Sequence, residues 1–123
     1  MKITKEEYQY FKDRVHHWID KLSLHDYELD IDMEHLEDND FAQCAYQYPG
    51  KGLAITITDK WDGNMQDNHT EYLDKIAHHE VTEGLLSEFR TMVPEQLAYK
   101  MDQIVHGVIH RLWKAMGETK CNK

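Results

Sequence analysis

Tyr72 to Arg90, YLDKIAHHEVTEGLLSEFR, is the stretch that leaves this chain the fewest options. It contains no proline, and Leu73, Ile76, Ala77, Val81, Leu85, Leu86 and Phe89 recur at helical spacing. At roughly 100° per residue these positions sweep a wide arc, so protein must cover most of the helix. His79, Glu80, Glu83, Ser87 and Arg90 fall on the remaining side. A solvent face more usually carries Lys/Glu pairs; this one gathers an imidazole and two carboxylates within about one and a half turns.

That grouping suits a metal. His79 and Glu83 are i and i+4, so their side chains lie one above the other on one face. Glu80, one residue after the first ligand, sits at the flank of the stripe. H-E-x-x-H works on the same principle: two ligands a turn apart, and a glutamate beside them to accept a proton from activated water. Here the second histidine is a glutamate, giving His79-Glu80-Val81-Thr82-Glu83. Zinc accepts carboxylate oxygen, and catalytic sites of two His and one Glu exist. A further histidine must then come from elsewhere in the chain.

The 123 residues predict one domain, with 117–123 as a frayed polar tail. Apolar residues at 41% exclude disorder, and no run approaches the roughly 20 apolar residues of a membrane helix. MKITKEEYQYF lacks the apolar core of a signal peptide, and Cys44 and Cys121 make no disulfide framework, so a cytoplasmic protein is expected. A net charge of −9 argues against holding nucleic acid through a basic patch and leaves a basic protein partner open.

An α+β fold follows from the order of patterns. Thr4 and Glu7 form a T-x-x-E capping box, and Tyr8, Phe11, Val15, Trp18, Ile19 and Leu22 make one apolar stripe, so residues 4–22 are read as a helix. Residues 27–35 alternate Tyr27, Leu29, Ile31 and Met33 with Glu28, Asp30, Asp32 and Glu34, a strand with one acidic face. Residues 41–48 and 53–58 are two more strands, joined by Pro49-Gly50-Lys51-Gly52. The short connections predict a three-stranded antiparallel meander. Cys44 reads as a small buried apolar residue. A polar loop over 59–70 carries Trp61, which pins it to the body, a turn at Asp62-Gly63-Asn64, and His69.

Residues 94–116 form the last helix, with Pro94 in its first turn. Its stripe is Leu97, Ala98, Met101, Ile104, Val105, Val108, Ile109, Leu112 and Met116, flanked by Asp102, His106 and Trp113. His106, at the edge of a buried face, is the first choice for the missing ligand; Asp102 and His110 are additional or replacement candidates.

The segments IAHHEVTEGLL (76–86) and VHGVIHRL (105–112) resemble the small zincin metallopeptidases, and more narrowly the short phage-encoded metallopeptidase-like proteins distantly related to the SprT-like group. The resemblance is specific only in those two segments. It implies a minimal zincin-like fold, zinc held by His79, Glu83 and His106, Glu80 as general base, a peptide or protein substrate, and the host cytoplasm as the compartment if the chain is phage-encoded. The alternative is a non-catalytic zincin-like binding protein, with a structural metal or none, that turns its acidic surface to a protein partner. A fourth protein ligand would close the site and favour that alternative. The sequence sets no oligomeric state.

Overall fold

A computed structural model describes residues 1–37, 40–47, 50–61, 68–91 and 94–116, with residues 88, 89 and 91 described through their backbone alone. The tail from 117, the turn at 62–64, Tyr48, Pro49 and the Phe89 side chain therefore lie outside the described residues. The elements run α1 (Lys5–Lys21), β1 (Glu28–Met33), β2 (Ala42–Gln47), β3 (Gly52–Ile57), α2 (His69–Thr91), a 3-10 turn (Glu95–Leu97) and α3 (Ala98–Met116). No described helix is long and apolar enough to cross a membrane.

The capping box at the start of α1 is present. The Glu7 amide donates to Thr4 Oγ1 at 3.0 Å, and the Thr4 amide to Glu7 Oε1 at 2.9 Å. Two of the helix's orphan donors are thereby satisfied. Phe11, Val15, Trp18 and Ile19 bury the inner face of this helix, as their spacing predicts.

The sheet departs from the expected meander. Its order is β1-β3-β2, with β3 antiparallel to β2 but parallel to β1. The short β2–β3 connection makes the expected hairpin, and Lys51 takes a positive φ of 51° in it. The link from β1 to β2 instead passes the end of β3: the Glu34 amide donates to Ile57 O at 3.1 Å, and Thr58 donates to Phe41 O at 2.8 Å. The cause is composition. Gly52-Leu53-Ala54-Ile55-Thr56-Ile57 is the most apolar strand, with Leu53, Ile55 and Ile57 all buried, so it takes the centre. The acidic strand keeps Glu28, Asp30 and Asp32 in water only at an edge of the sheet, on its uncovered face.

α2 lies at the middle of the molecule, packed against α1, α3 and β2. It starts at His69, three residues earlier than Tyr72, because Asn68 caps it by accepting the Glu71 amide at 3.2 Å. Gly84 lets it approach β3 closely: a Cβ there would stand 2.6 Å from Leu53 Cδ2. Trp61 is buried as expected, its ring stacked on His69 and its Nε1 donating to Glu7 Oε1 at 3.1 Å.

α3 is turned relative to its expected stripe. Val105, Ile109 and Trp113 are the buried residues, whereas Leu97 and Ile104 are exposed. The packed face sits roughly 70° round from the predicted centre, on the side of His106. Trp113 explains the turn: its large ring seats against Trp18 and His78, with centroids 6.2 and 5.3 Å away. The α-helix also begins only at Ala98, after the 3-10 turn that follows Pro94.

One polar contact ties α1 to α2 inside the core. Asp74 is buried, accepts from Trp18 Nε1 at 2.7 Å, and is gripped by Arg14 through Nε at 2.8 Å and Nη2 at 3.4 Å. Removing the carboxylate takes the buried acceptor away from a largely buried guanidinium and an indole N–H, a loss of about 2–4 kcal/mol. Asp74→Ala is expected to lower stability by that amount in urea unfolding, and Asp74→Asn, which keeps one acceptor, by less.

Candidate metal centre

α2 and α3 bring together the three residues expected to bind a metal. One ligand atom each from His79, Glu83 and His106 lies within 4.8 Å of the others, and His106 Nε2 is 3.1 Å from Glu83 Oε2. All three side chains are half-buried. The imidazoles of His79 and His106 stack across the helix pair, centroids 5.5 Å apart and 24° from parallel. Tetrahedral zinc at its usual bond lengths holds donors about 3.3 Å apart, so a modest inward shift would close this set on one ion. The donor set, two imidazoles and a carboxylate, suits a borderline divalent cation.

Charge state favours ligation. Burial pushes the His79 pKa down, and the neighbouring His106 and His110 push it the same way, against the opposing pull of Glu83. A neutral imidazole is what a metal requires.

The reserve candidates stand elsewhere. Asp102 is next to His106 but on its far nitrogen: His106 Nδ1 lies 3.0 Å from the Asp102 carbonyl oxygen and 3.4 Å from its Oδ2. Donation from Nδ1 leaves Nε2 as the free lone pair, aimed at Glu83. The Asp102 main-chain carbonyl thus orients His106, a candidate ligand. His110 is exposed, with its ring centroid 6.4 Å from that of His79, and it is outside the group of converging donors. His69 pairs with Glu7 Oε2 at 2.7 Å, far along α2 from the triad. Among the described residues the group has three members.

Glu80 is buried rather than set on the open stripe, and its Oε1 has no hydrogen-bond partner among the described residues. Burial, with the nearby carboxylates of Glu83 and Asp40, pushes its pKa up to about 8. The same carboxylates reach Cys44 on β2. Burial first, then Glu80 and Glu83, push that thiol up to about 12, and Cys44 is outside the group of converging donors.

Two features escaped sequence reasoning. His78 is fully buried between Trp18 and Trp113, with neither ring nitrogen hydrogen-bonded among the described residues, and burial drops its pKa to about 4. Arg90 spans from α2 to α3, with Nη2 2.8 Å from Asp102 Oδ1 and 3.5 Å from Glu83 Oε2. Helical phase already set Arg90 on the ligand stripe; the bridge to Asp102 needed the α2–α3 packing. No protein-family model matches the chain, and no curated protein or solved structure does either.

Asp102→Ala keeps the main-chain carbonyl beside His106 Nδ1 and removes only the 3.4 Å carboxylate contact, so zinc or cobalt binding is expected to weaken by no more than about tenfold in a chelator competition while the fold stays intact. The carboxyl of Glu80 also makes a pH prediction for the metal-free protein. Its folded pKa lies above the unfolded one, so folding takes up a proton, and its stabilising share falls as pH rises from about 4.5 to about 8. His78 acts oppositely but only below its unfolded value of 6.5, which isolates Glu80 above that pH. Urea midpoints measured between pH 6.5 and 8 are expected to fall, by at most about 1.4 kcal/mol per pH unit from this group, and Glu80→Gln should flatten the trend.

Proposed function

We propose that this protein is a zinc-dependent hydrolase acting on peptide bonds, with His79, Glu83 and His106 as ligands and Glu80 as general base. The observation that supports this reading most is the incomplete shell. Three donors converge, and the two further candidates, Asp102 and His110, are not among them. A structural zinc site is usually closed by four protein ligands, whereas a catalytic one keeps a position free.

When bound in such a site, zinc lowers the pKa of water toward neutrality and polarises a carbonyl. The chain's own groups would do the rest. His79 and His106 supply neutral imidazoles, the latter steered by Asp102. Glu83 supplies the charged oxygen that neutralises part of the ion. Glu80, buried and short of a partner, is a carboxyl whose proton affinity depends on its surroundings. A nearby divalent charge favours its ionised form, which can accept a proton from attacking water and return it to the leaving amine. The resemblance of the two helical segments to zincins points the same way. The edge strand β2 behind Glu80 and Glu83 offers backbone groups to an extended chain, which favours a peptide as substrate.

The test is a peptide-library digest with zinc-loaded protein, its Glu80→Gln variant and a chelated control. Hydrolysis should require zinc and drop about 100- to 10,000-fold in Glu80→Gln with zinc content unchanged. Cleavage that persists in Glu80→Gln removes the proposed base. Stoichiometric zinc with no cleavage of any peptide would favour the non-catalytic binding protein instead.

A further inference from the structure

We propose that Arg90 is an anion subsite beside the metal triad, taking a carboxylate of the bound peptide into the cavity next to it. This rests on the metal reading above and adds to it the chemistry of the substrate.

The helix itself places Arg90. It is seven residues beyond Glu83 and eleven beyond His79, so all three lie within roughly 40° on one stripe. Its long side chain leans back over that stripe, and Nη2 reaches Asp102 Oδ1 at 2.8 Å and Glu83 Oε2 at 3.5 Å. Each of those partners also touches His106. The Arg90–Asp102 pair therefore adjoins the triad. The same two residues, with Ala98, Tyr99 and Met101, line a cavity of about 370 Å³.

The guanidinium is not fully used. The side chain is 32% exposed, and its Nε is buried with no hydrogen-bond partner among the described residues, so the outer N–H groups are the ones a ligand can reach. A planar fork of five N–H donors suits a carboxylate bound by two parallel bonds. The walls suit the rest of such a ligand, since Ala98, Tyr99 and Met101 offer apolar and aromatic surface. Tyr99 stands largely in water, with its hydroxyl 3.3 Å from Gln103 Nε2.

Charge balance links the subsite to the ion. With no ion, the carboxylates of Glu83 and Asp102 outweigh the one guanidinium between them, and an anion is repelled. A divalent ion on the triad reverses the sign of the neighbourhood. Carboxylate binding should therefore need both the ion and Arg90. A carboxylate bound directly to the ion would need only the first, and an Arg90 that merely braces Asp102 and Glu83 would show no preference for carboxylates at all.

Titration calorimetry on the full chain, with zinc content measured in each sample, separates these cases. The probes are acetyl-Ala-Ala with a free C-terminus, acetyl-Ala-Ala-amide, and acetyl-Ala-Glu-amide. A carboxylate probe should bind zinc-loaded protein at least about tenfold more tightly than the neutral amide. Arg90→Gln should abolish that preference with zinc retained, and Arg90→Lys, which keeps the charge without the fork, should keep part of it. Removing zinc should also abolish it. Which carboxylate probe binds tells a peptide C-terminus from an acidic side chain. Undiminished preference in zinc-replete Arg90→Gln, or no preference in the wild type, overturns the subsite while leaving the metal centre standing. A wild-type protein that takes up no zinc overturns both.

Discussion

A single helix here has to face three directions at once. α2 turns one side to α1, another to the sheet and a third to α3, and the stripe toward α3 must also hold polar donors. An α-helix has only about 3.6 residues per turn, so those demands cannot be met by apolar residues alone. The conflict is resolved by burying polar groups with defined roles. Asp74 is placed inside because Arg14 and Trp18 meet it there. His78 is placed inside as a neutral ring wedged between two tryptophans. With α1 and the sheet fixing the azimuth of α2, the phase of His79 and Glu83 toward α3 is set as well.

The place of the third candidate ligand depends on packing rather than on local periodicity. His106 reaches Glu83 because Trp113, about two turns further on, draws its side of α3 into the core. A tryptophan buries far more surface than the leucine or isoleucine it competes with, and that difference decides which face turns inward. The outcome leaves Leu97 and Ile104 in water and puts Asp102 against His106 and Arg90. The candidate metal centre, the Asp102 that adjoins it and the guanidinium beside them thus share a common origin in the α2–α3 interface.

Much of the site was readable from residue spacing, and the limits are physical. The His79–Glu83 pair follows from i, i+4 geometry within one helix. His106 was reachable because it sits at the edge of an amphipathic stripe, although the stripe's centre was misplaced by ignoring the size of Trp113. Strand order was read wrongly because pairing between β1 and β3 is non-local, and short connections suggested sequence neighbours would pair. The largely apolar β3, broken only by Thr56, against the acidic alternation of β1 was the cue for the central place of β3. The buried pair Asp74 and His78 was invisible to any rule that sends charged residues outward, though their own i, i+4 spacing marked them as a pair. Glu80 was expected at a flank, and the depth of its burial came only with β2 packed behind it.

The centre of this account is that two helices hold one divalent ion with nitrogen and oxygen donors alone. X-ray absorption at the zinc edge of the metal-loaded protein reads that shell directly. The account predicts one ion per chain, two imidazoles and the rest oxygen, with imidazole scattering halved when His106 is replaced by alanine. A shell containing sulfur, or one that keeps both imidazoles without His106, would contradict it.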